Sequence, residues 1–389
     1  MAELLSFLIL ISAGLFLSEL FRKLHVPYVV SLIFAGILIG PYGFDIFTPN
    51  ETTNFLGTIG LIFLMFMAGL EIRLSSIAKL RRGVARMAVL NGLIPFLIGF
   101  GIATYFGYDI LGALLLGTIF ISSSIAVVIP ALESSGLLGT RLGKSIVAAT
   151  VAEDVFSLIL LSIVLQIVNP TTQIPLPLFY GIVFVALILL KTLISIVREV
   201  FLSATRNQKN IFEQELRFIF AILLGTVVFF EILGMHAIIA GFFAGLVLSE
   251  SIKSELLRQK LHAISYGIFI PAFFIIIGTE TDISVFSRTG GALLLTAAIL
   301  IGSMGSKFIS GWIGGLLSGF DKNESVLVGV STIPQLSTTV AVAFVGLEFG
   351  LLNSELVTAM IALSIVSTFV GSMLIALLVK SRQASKQTA

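Results

Sequence analysis

The chain has 389 residues, of which 57% are hydrophobic and 11% charged, with a mean hydropathy of +1.11 and a formal net charge of +2. So few charged side chains cannot cover the surface of a soluble globule, so this composition excludes a soluble domain and indicates a polytopic membrane protein. The chain has no cysteine, which excludes disulfides and thiolate metal sites.

The first stretch of the chain, residues 1–20, is apolar but carries no basic segment and no small-residue cleavage site. We therefore interpret it as a retained membrane helix rather than a secretory signal peptide. Further apolar runs follow, most of them near the roughly 17–25 residues that a helix needs to cross a bilayer. They predict an all-α membrane protein with thirteen transmembrane helices, spans 1 to 13, at about 2–21, 27–41, 54–72, 83–107, 109–135, 141–169, 176–203, 212–233, 235–251, 258–280, 288–318, 322–348 and 353–380.

The basic residues are distributed unevenly among the connections between spans. Most of the 23 Lys and Arg lie after odd-numbered spans or in the C-terminal tail, whereas the opposite connections hold only Arg288. Because cytoplasmic connections carry the excess of Lys and Arg, we expect the N-terminus outside, the C-terminus in the cytoplasm and an odd number of spans.

A weak internal repeat appears at a spacing of 209 residues. Four short segments align at this one offset: Phe34-Ala35-Gly36 with Phe243-Ala244-Gly245, Gly69 and Glu71 with Gly278 and Glu280, Ser75 with Ser284, and Ser122-Ser123 with Ser331-Thr332. The offset corresponds to seven spans, an odd number, so the second copy is inserted upside down. Inverted repeats, here at about 27–169 and 235–380, are typical of secondary transporters, whose two copies exchange conformation to open a site to either side.

Spans 5 and 12 occupy equivalent positions in the two repeats, and both contain a proline near hydroxyl or amide side chains. The residues are Ser122, Ser123, Ser124 and Pro130 in span 5, and Thr332, Pro334, Gln335 and Thr338 in span 12. Proline removes a backbone donor, and clustered hydroxyls satisfy the backbone groups that it frees. We predict two discontinuous helices that cross at the membrane midplane, because paired interruptions mark the binding sites of transporters.

Two adjacent acids, Glu153 and Asp154, lie at the middle of span 6. An ionised acid at the centre of a membrane helix costs roughly 2.5–3.5 kcal/mol, so such residues face a water-filled cavity or a partner. Because neighbouring helical residues point about 100° apart, we expect one carboxylate to face the cavity and the other a protein partner. Such a pair is able to bind a cation, a proton or each in turn, and Thr150, one turn before Asp154, can add a hydroxyl.

Lys307 lies in the middle of span 11, within the second repeat. An ammonium group at this depth requires a counter-charge. Two interpretations follow. Lys307 pairs with Glu153 and leaves Asp154 to the ion, or it loses its proton in apolar surroundings and takes part in transport itself.

These residues together resemble the cation:proton antiporter-2 family, the sodium/proton and potassium/proton exchangers of bacteria and archaea. The resemblance covers nearly the whole chain. It rests on the serine-rich span 5, on the acidic pair followed by a lysine, and on three segments: Val26-Pro27, Ala35-Gly36-Ile37-Leu38-Ile39-Gly40-Pro41 and Ala68-Gly69-Leu70-Glu71. It implies that Asp154 is the aspartate that binds cation or proton, that Glu153 is the residue preceding it, and that Lys307 is the lysine that pairs with Glu153.

The resemblance also implies an arrangement of the whole chain as one membrane transport domain, 1–389, that forms a homodimer in the cell membrane of a prokaryote. Its parts are moving core helices at about 83–169 and 288–380, a dimerisation scaffold at about 1–72 and 212–280, and a linker helix at about 176–203.

We predict a secondary antiporter, not an enzyme, in which sodium or potassium and protons compete for Asp154 by alternating access. The expected oxygen ligands are Ser122, Ser123 and Thr150, with Thr332, Gln335 and Thr338 as possible ligands at the second helix break. We expect no cofactor and no nucleic-acid partner, and the partners are membrane lipids, the transported ions and a second copy of the chain. Two alternatives stay open: a sodium-coupled solute symporter, which needs a substrate-sized cavity beside the ion site, and a cation channel, which needs a continuous pore.

Overall fold

The computed structural model describes residues 2–23, 26–72, 82–168, 170, 174–205, 211–249, 251–252, 254–282, 284 and 290–387. Its helices are α1 (Ala2–Lys23), α2 (Tyr28–Ile39), α3 (Glu51–Glu71), α4 (Arg82–Tyr105), α5 (Ile110–Ile121), α6 (Ile125–Ser134), α7 (Arg141–Val168), α8 (Leu176–Thr205), α9 (Ile211–Ile232), α10 (Ala237–Leu248), α11 (Glu255–Ile264), α12 (Ile270–Glu280), α13 (Gly290–Leu317), α14 (Lys322–Ser331), α15 (Ser337–Glu348) and α16 (Ser354–Gln387). A π-helical turn, Ser265–Phe269, joins α11 to α12. Each of the thirteen predicted spans coincides with a helix or with two helical segments in succession.

The lengths of the helices agree with the prediction of a polytopic membrane protein. Within the described residues, nine helical stretches are long and apolar enough to cross a membrane. Three further apolar helices, α2, α10 and α15, are shorter, and α2 and α10 correspond to the two shortest predicted spans, 27–41 and 235–251. The 22-residue α9 carries several charged residues and falls outside both groups.

Polar residues in the connections determine where several helices begin. Asn50 accepts a hydrogen bond from the Thr53 backbone N–H at 2.9 Å, and the Thr53 hydroxyl accepts one from the Asn50 N–H at 2.8 Å. Asp321 and Glu324 form the same reciprocal box ahead of α14. Such boxes satisfy N–H groups that a helix start leaves without a partner, so α3 and α14 begin at defined residues.

The chain divides into two compact units, each made of separate stretches of sequence. The first unit contains Met1–Phe7, Pro49–Ser76 and Leu165–Phe274, and within it α3 packs along α10. The second contains Leu8–Thr48, Ile77–Val164 and Ile275–Ala389, and within it α13 packs against α4, α14 and α16. All of the candidate site residues belong to the second unit. The division into a moving core and a dimerisation scaffold stays a prediction.

Two close glycine contacts agree with the internal repeat. In the second unit a Cβ on Gly36 would lie 2.9 Å from the Cα of Gly278, and in the first unit one on Gly69 would lie 3.1 Å from the carbonyl carbon of Gly245. The offset of 209 residues converts the first pair of glycines into the second. It also converts the bounds of α2 into those of α10. The aligned residue Ser75 lies outside the described residues.

Both predicted interruptions are present, but Pro130 lies inside α6 and not at the break in span 5. The chain leaves helical geometry between Ile121 and Ile125, and again between Ser331 and Ser337. The two breaks contact each other: the Ser124 N–H donates to the Pro334 carbonyl at 2.7 Å, and the Ser123 hydroxyl lies 3.0 Å from the Thr332 carbonyl. Ser123 and Thr332 are 209 residues apart, so each contacts the residue with which the repeat aligns it. Such a contact is expected for residues on the axis that relates two repeats.

Candidate functional site

The carboxylate of Glu153 lies at the centre of a buried polar cluster. The residue is on α7 and is 0% exposed. Its Oε1 accepts a hydrogen bond from Asn91 Nδ2 at 2.7 Å, and its Oε2 lies 2.8 Å from Ser123 Oγ and 2.9 Å from Lys307 Nζ. A buried carboxylate is tolerated only with a counter-charge and hydrogen bonds to its oxygens, and Glu153 has both.

Lys307 supplies that counter-charge from α13 and is also 0% exposed. Besides Glu153, its Nζ contacts Ser123 Oγ at 2.9 Å and donates to the backbone carbonyls of Ile121 and Asn91. Ile121 is the last residue of α5, where carbonyls lack partners within the helix. The break in span 5 therefore provides an acceptor for the ammonium group.

Asp154 follows Glu153 on α7, is 6% exposed, and interacts electrostatically with Lys307. Four hydroxyl oxygens of this unit are buried and have no hydrogen-bond partner among the described residues: Ser124 Oγ at the break in span 5, Thr150 Oγ1 on α7, Ser331 Oγ and Ser364 Oγ. Thr150 is four residues before Asp154 and hence on the same side of α7. Buried hydroxyls are usually hydrogen-bonded, so the hydroxyls of Ser124 and Thr150 are suited to coordinating a bound cation.

The second break is held by Gln335, which is 0% exposed. Its side-chain nitrogen donates to the carbonyls of Phe120 and Ser122, at 3.1 and 2.9 Å, and its side-chain oxygen accepts from Ser303 at 3.0 Å. All of the polar atoms of this amide have partners, so Gln335 ties the two breaks together.

The remaining predicted ligands lie in the same unit. The Ser122 and Thr339 hydroxyls are 3.2 Å apart. The Thr332 hydroxyl donates to the Lys307 carbonyl at 3.1 Å or to the Gly329 carbonyl at 2.9 Å. Thr338 is buried at the start of α15. Glu153, Lys307, Ser123 and Thr332 thus form one contiguous cluster.

Several buried residues of this network are absent from the predicted set, among them Asn91, Ser303 and Ser310. Asn91 is the one amide in the sequence of α4, and Ser303 and Ser310 flank Lys307 by one turn on each side of α13. For the two serines, the available signal was their spacing from Lys307, which places all three residues on one face of the helix. The partner of Asn91, however, is 62 residues away in the sequence, and no local pattern connects the two.

The site thus combines a neutralised ion pair with a second carboxylate and with two hydroxyls, of Ser124 and Thr150, that have no partner in the part of the chain that the structure describes. Oxygen ligands suit hard cations such as the alkali ions, and a carboxylate is also able to take a proton. A cavity of about 680 Å³ in the same unit is lined by residues such as Tyr108, Asn353 and Glu355 and by no member of this cluster.

Comparisons with known proteins determine the family. The family model described as sodium/hydrogen exchanger, transmembrane, matches residues 7–381. This chain belongs to the sodium/hydrogen exchanger family.

Individual relatives agree with this assignment. A probable Na⁺/H⁺ antiporter 3 of Methanocaldococcus jannaschii is 33% identical, over 93% of this chain and 92% of the relative. The Na⁺/H⁺-K⁺ antiporter GerN of Bacillus cereus is 28% identical, over 93% and 92%. The solved structure of the sodium proton antiporter MjNhaP1 from Methanocaldococcus jannaschii at pH 8 matches with a TM-score of 0.75 at 17% identity, over 97% of this chain and 98% of that one. The exchanger fold predicted from the sequence is therefore confirmed, and the family is one of transporters.

Proposed function

We propose that this protein is a secondary antiporter that exchanges sodium or potassium for protons by alternating access, with Asp154 as the group that holds either ion. One observation carries the assignment to this residue: on α7, next to Asp154, Glu153 is already occupied by Lys307 at 2.9 Å. The charge of Glu153 is thereby compensated, so we assign the transported ion to the neighbouring carboxylate of Asp154. The names of the relatives give sodium, and in one case potassium as well, as their ions.

Exchange follows from competition at a single carboxylate. A protonated Asp154 is neutral and has no charge to attract a cation, whereas an ionised Asp154 binds the cation with help from nearby oxygen atoms. We assign the hydroxyls of Thr150 and Ser124 to this shell because both are buried and lack other partners among the described residues. If only the loaded forms cross, each cation moved one way is matched by proton movement the other way.

Glu153 and Lys307 have a different task in this proposal. Their charges cancel each other in a buried environment, so the charge that changes during the cycle is that of Asp154. Ser123 and Thr332 connect this pair to both helix breaks, which favours movement of the breaks and the ion pair together.

The setting of the transporter follows from the same assignment. We propose a homodimer in a prokaryotic cell membrane, with the N-terminus outside and the C-terminus in the cytoplasm. The unequal distribution of Lys and Arg supports this orientation.

Substitution of the proposed carrier tests the function directly. Asp154→Asn keeps the size of the side chain but removes its charge and its proton site, so cation-dependent proton movement in proteoliposomes should be lost. Asp109→Asn is the matched control, because Asp109 caps α5 outside the cluster and asparagine caps helices equally well. Exchange that persists in Asp154→Asn would refute the assignment.

The transported ion is identified with the same vesicles. Proton movement is measured with sodium, potassium and lithium in turn, each with and without an imposed membrane potential. A rate that depends on the potential indicates net charge movement, and flux without proton coupling would contradict antiport.

A further inference from the structure

Asn91 lies on α4 where that helix meets the ion pair. Its side chain is 1% exposed, and the neighbouring buried residues Met87, Ala88 and Gly92 are apolar. A buried amide costs free energy unless its donors and acceptor are hydrogen-bonded. The partners that satisfy Asn91 are therefore informative, and they come from the site itself.

The side chain of Asn91 links the two helices that carry the ion pair. Its Nδ2 donates to Glu153 Oε1 on α7 at 2.7 Å, and its Oδ1 accepts from the Ser310 hydroxyl on α13 at 2.5 Å. Ser310 is three residues after Lys307 and so lies one turn further along the same helix. The amide thus determines which oxygen of Glu153 is turned toward Lys307.

A third contact comes from the backbone of Asn91 and depends on Pro95. In a regular α-helix the N–H of residue 95 donates to the carbonyl of residue 91, but proline has no N–H. The Asn91 carbonyl instead accepts from Lys307 Nζ, at 3.4 Å. The four-residue spacing of Asn91 and Pro95 therefore places a freed carbonyl at the ammonium group.

We propose that Asn91 and Pro95 form a cradle on α4 that positions the Glu153–Lys307 pair. The Asn91 amide holds the carboxylate, and the carbonyl freed by Pro95 holds the ammonium group. Both are positioning residues, because their contacts are with the ion pair and not with Asp154. This inference rests on the proposed antiport function, since exchange is the quantity that reports on it.

If the Glu153–Lys307 pair is held less tightly, the maximal exchange rate, Vmax, and the half-saturating cation concentration should respond differently. An incompletely neutralised charge in apolar surroundings raises the barrier to movement of the site, whereas Asp154 still binds the cation. For Asn91→Leu, which is close in size and makes no hydrogen bond, we expect Vmax to fall about tenfold and the half-saturating cation concentration to stay within about threefold.

A double-mutant cycle separates positioning from packing. If Asn91 acts through Glu153, adding Asn91→Leu to Glu153→Gln should reduce Vmax by less than about threefold, well short of the product of the two single losses. A role in packing α4 against its neighbours gives independent losses that multiply. Multiplying losses would overturn the proposal.

Pro95→Ala provides a second variant that does not put folding at risk. Alanine restores an N–H that competes for the Asn91 carbonyl, and it also suits a helix interior better than proline. We expect a thermal unfolding temperature at or above that of the wild type together with a Vmax at least about threefold lower, a combination that no packing defect produces. Pro271→Ala, the same change at a residue of the first unit, should leave Vmax unchanged.

The wild type and Asp154→Asn are measured in the same vesicle preparation. A wild type without cation-dependent proton movement refutes the proposed function itself. An active wild type with unchanged Vmax in both Asn91→Leu and Pro95→Ala refutes the cradle alone, as does a raised half-saturating concentration at unchanged Vmax. If Asn91→Leu fails to fold, Pro95→Ala decides the outcome.

Discussion

At the scale of single residues, the site shows how a membrane protein keeps charges in its interior. The ammonium group of Lys307 has three N–H donors and four oxygen acceptors within reach, on Glu153, Ser123, Ile121 and Asn91. Two of these acceptors are backbone carbonyls that a helix end and a proline release from helical hydrogen bonding. Irregular backbone in this unit is therefore tolerated because it coordinates a buried charge.

Removal of one charge of the Glu153–Lys307 pair should destabilise the protein more than removal of both charges. Lys307→Leu leaves Glu153 buried without its counter-ion, which costs about 3–5 kcal/mol, whereas replacing both partners by apolar residues is often close to neutral. We expect Lys307→Leu to lower the thermal unfolding temperature in detergent strongly, and Glu153→Leu in the same chain to restore much of it. An unfolding temperature for Lys307→Leu equal to that of the wild type would mean that the pair is not a buried ionic contact.

At the scale of helices, the two glycine contacts explain how paired segments approach so closely. A Cβ on Gly36 would lie 2.0 Å from the Ile275 carbonyl oxygen, and one on Gly69 would lie 2.2 Å from the Phe242 carbonyl oxygen. Backbone atoms cannot rotate away as a side chain does. Small residues at such contacts let the backbones of membrane helices pack together. The repeat places an equivalent glycine contact in each half of the chain.

Gly36→Ala and Gly69→Ala should therefore destabilise the protein to a similar extent. Overpacking of a close-packed interior costs typically about 1–3 kcal/mol, and the clash with rigid backbone favours the upper part of that range. Gly181→Ala is the control, because a Cβ there meets no atom within 4 Å and alanine favours a helix by about 1 kcal/mol. Thermal unfolding in detergent measures all three, and loss in only one of the two contact variants would argue against equivalent repeats.

At the scale of the whole molecule, the parts of the structure that depend on local pattern were predictable and those that depend on distant contacts were not. Apolar run length predicted the spans, the serine cluster predicted the break in span 5, and the proline with its neighbouring hydroxyls predicted the break in span 12. Asn91 was missed because no role can be assigned to a single amide in an apolar helix until its partners on α7 and α13 are known. Gln335 illustrates the same limit: the sequence suggested an ion ligand, while its amide bonds to Phe120, Ser122 and Ser303.

Membrane orientation is a property of the whole chain, and the absence of cysteine makes it simple to measure. Thr48 and Gly139 are both exposed, Thr48 between α2 and α3 and Gly139 between α6 and α7. The excess of Lys and Arg places the first connection outside and the second in the cytoplasm. A membrane-impermeant maleimide added to intact cells should therefore label Thr48→Cys and leave Gly139→Cys unlabelled until the membrane is opened. The reverse pattern would invert the proposed orientation, and labelling of both in intact cells would show that the predicted number of spans between them, three, is wrong.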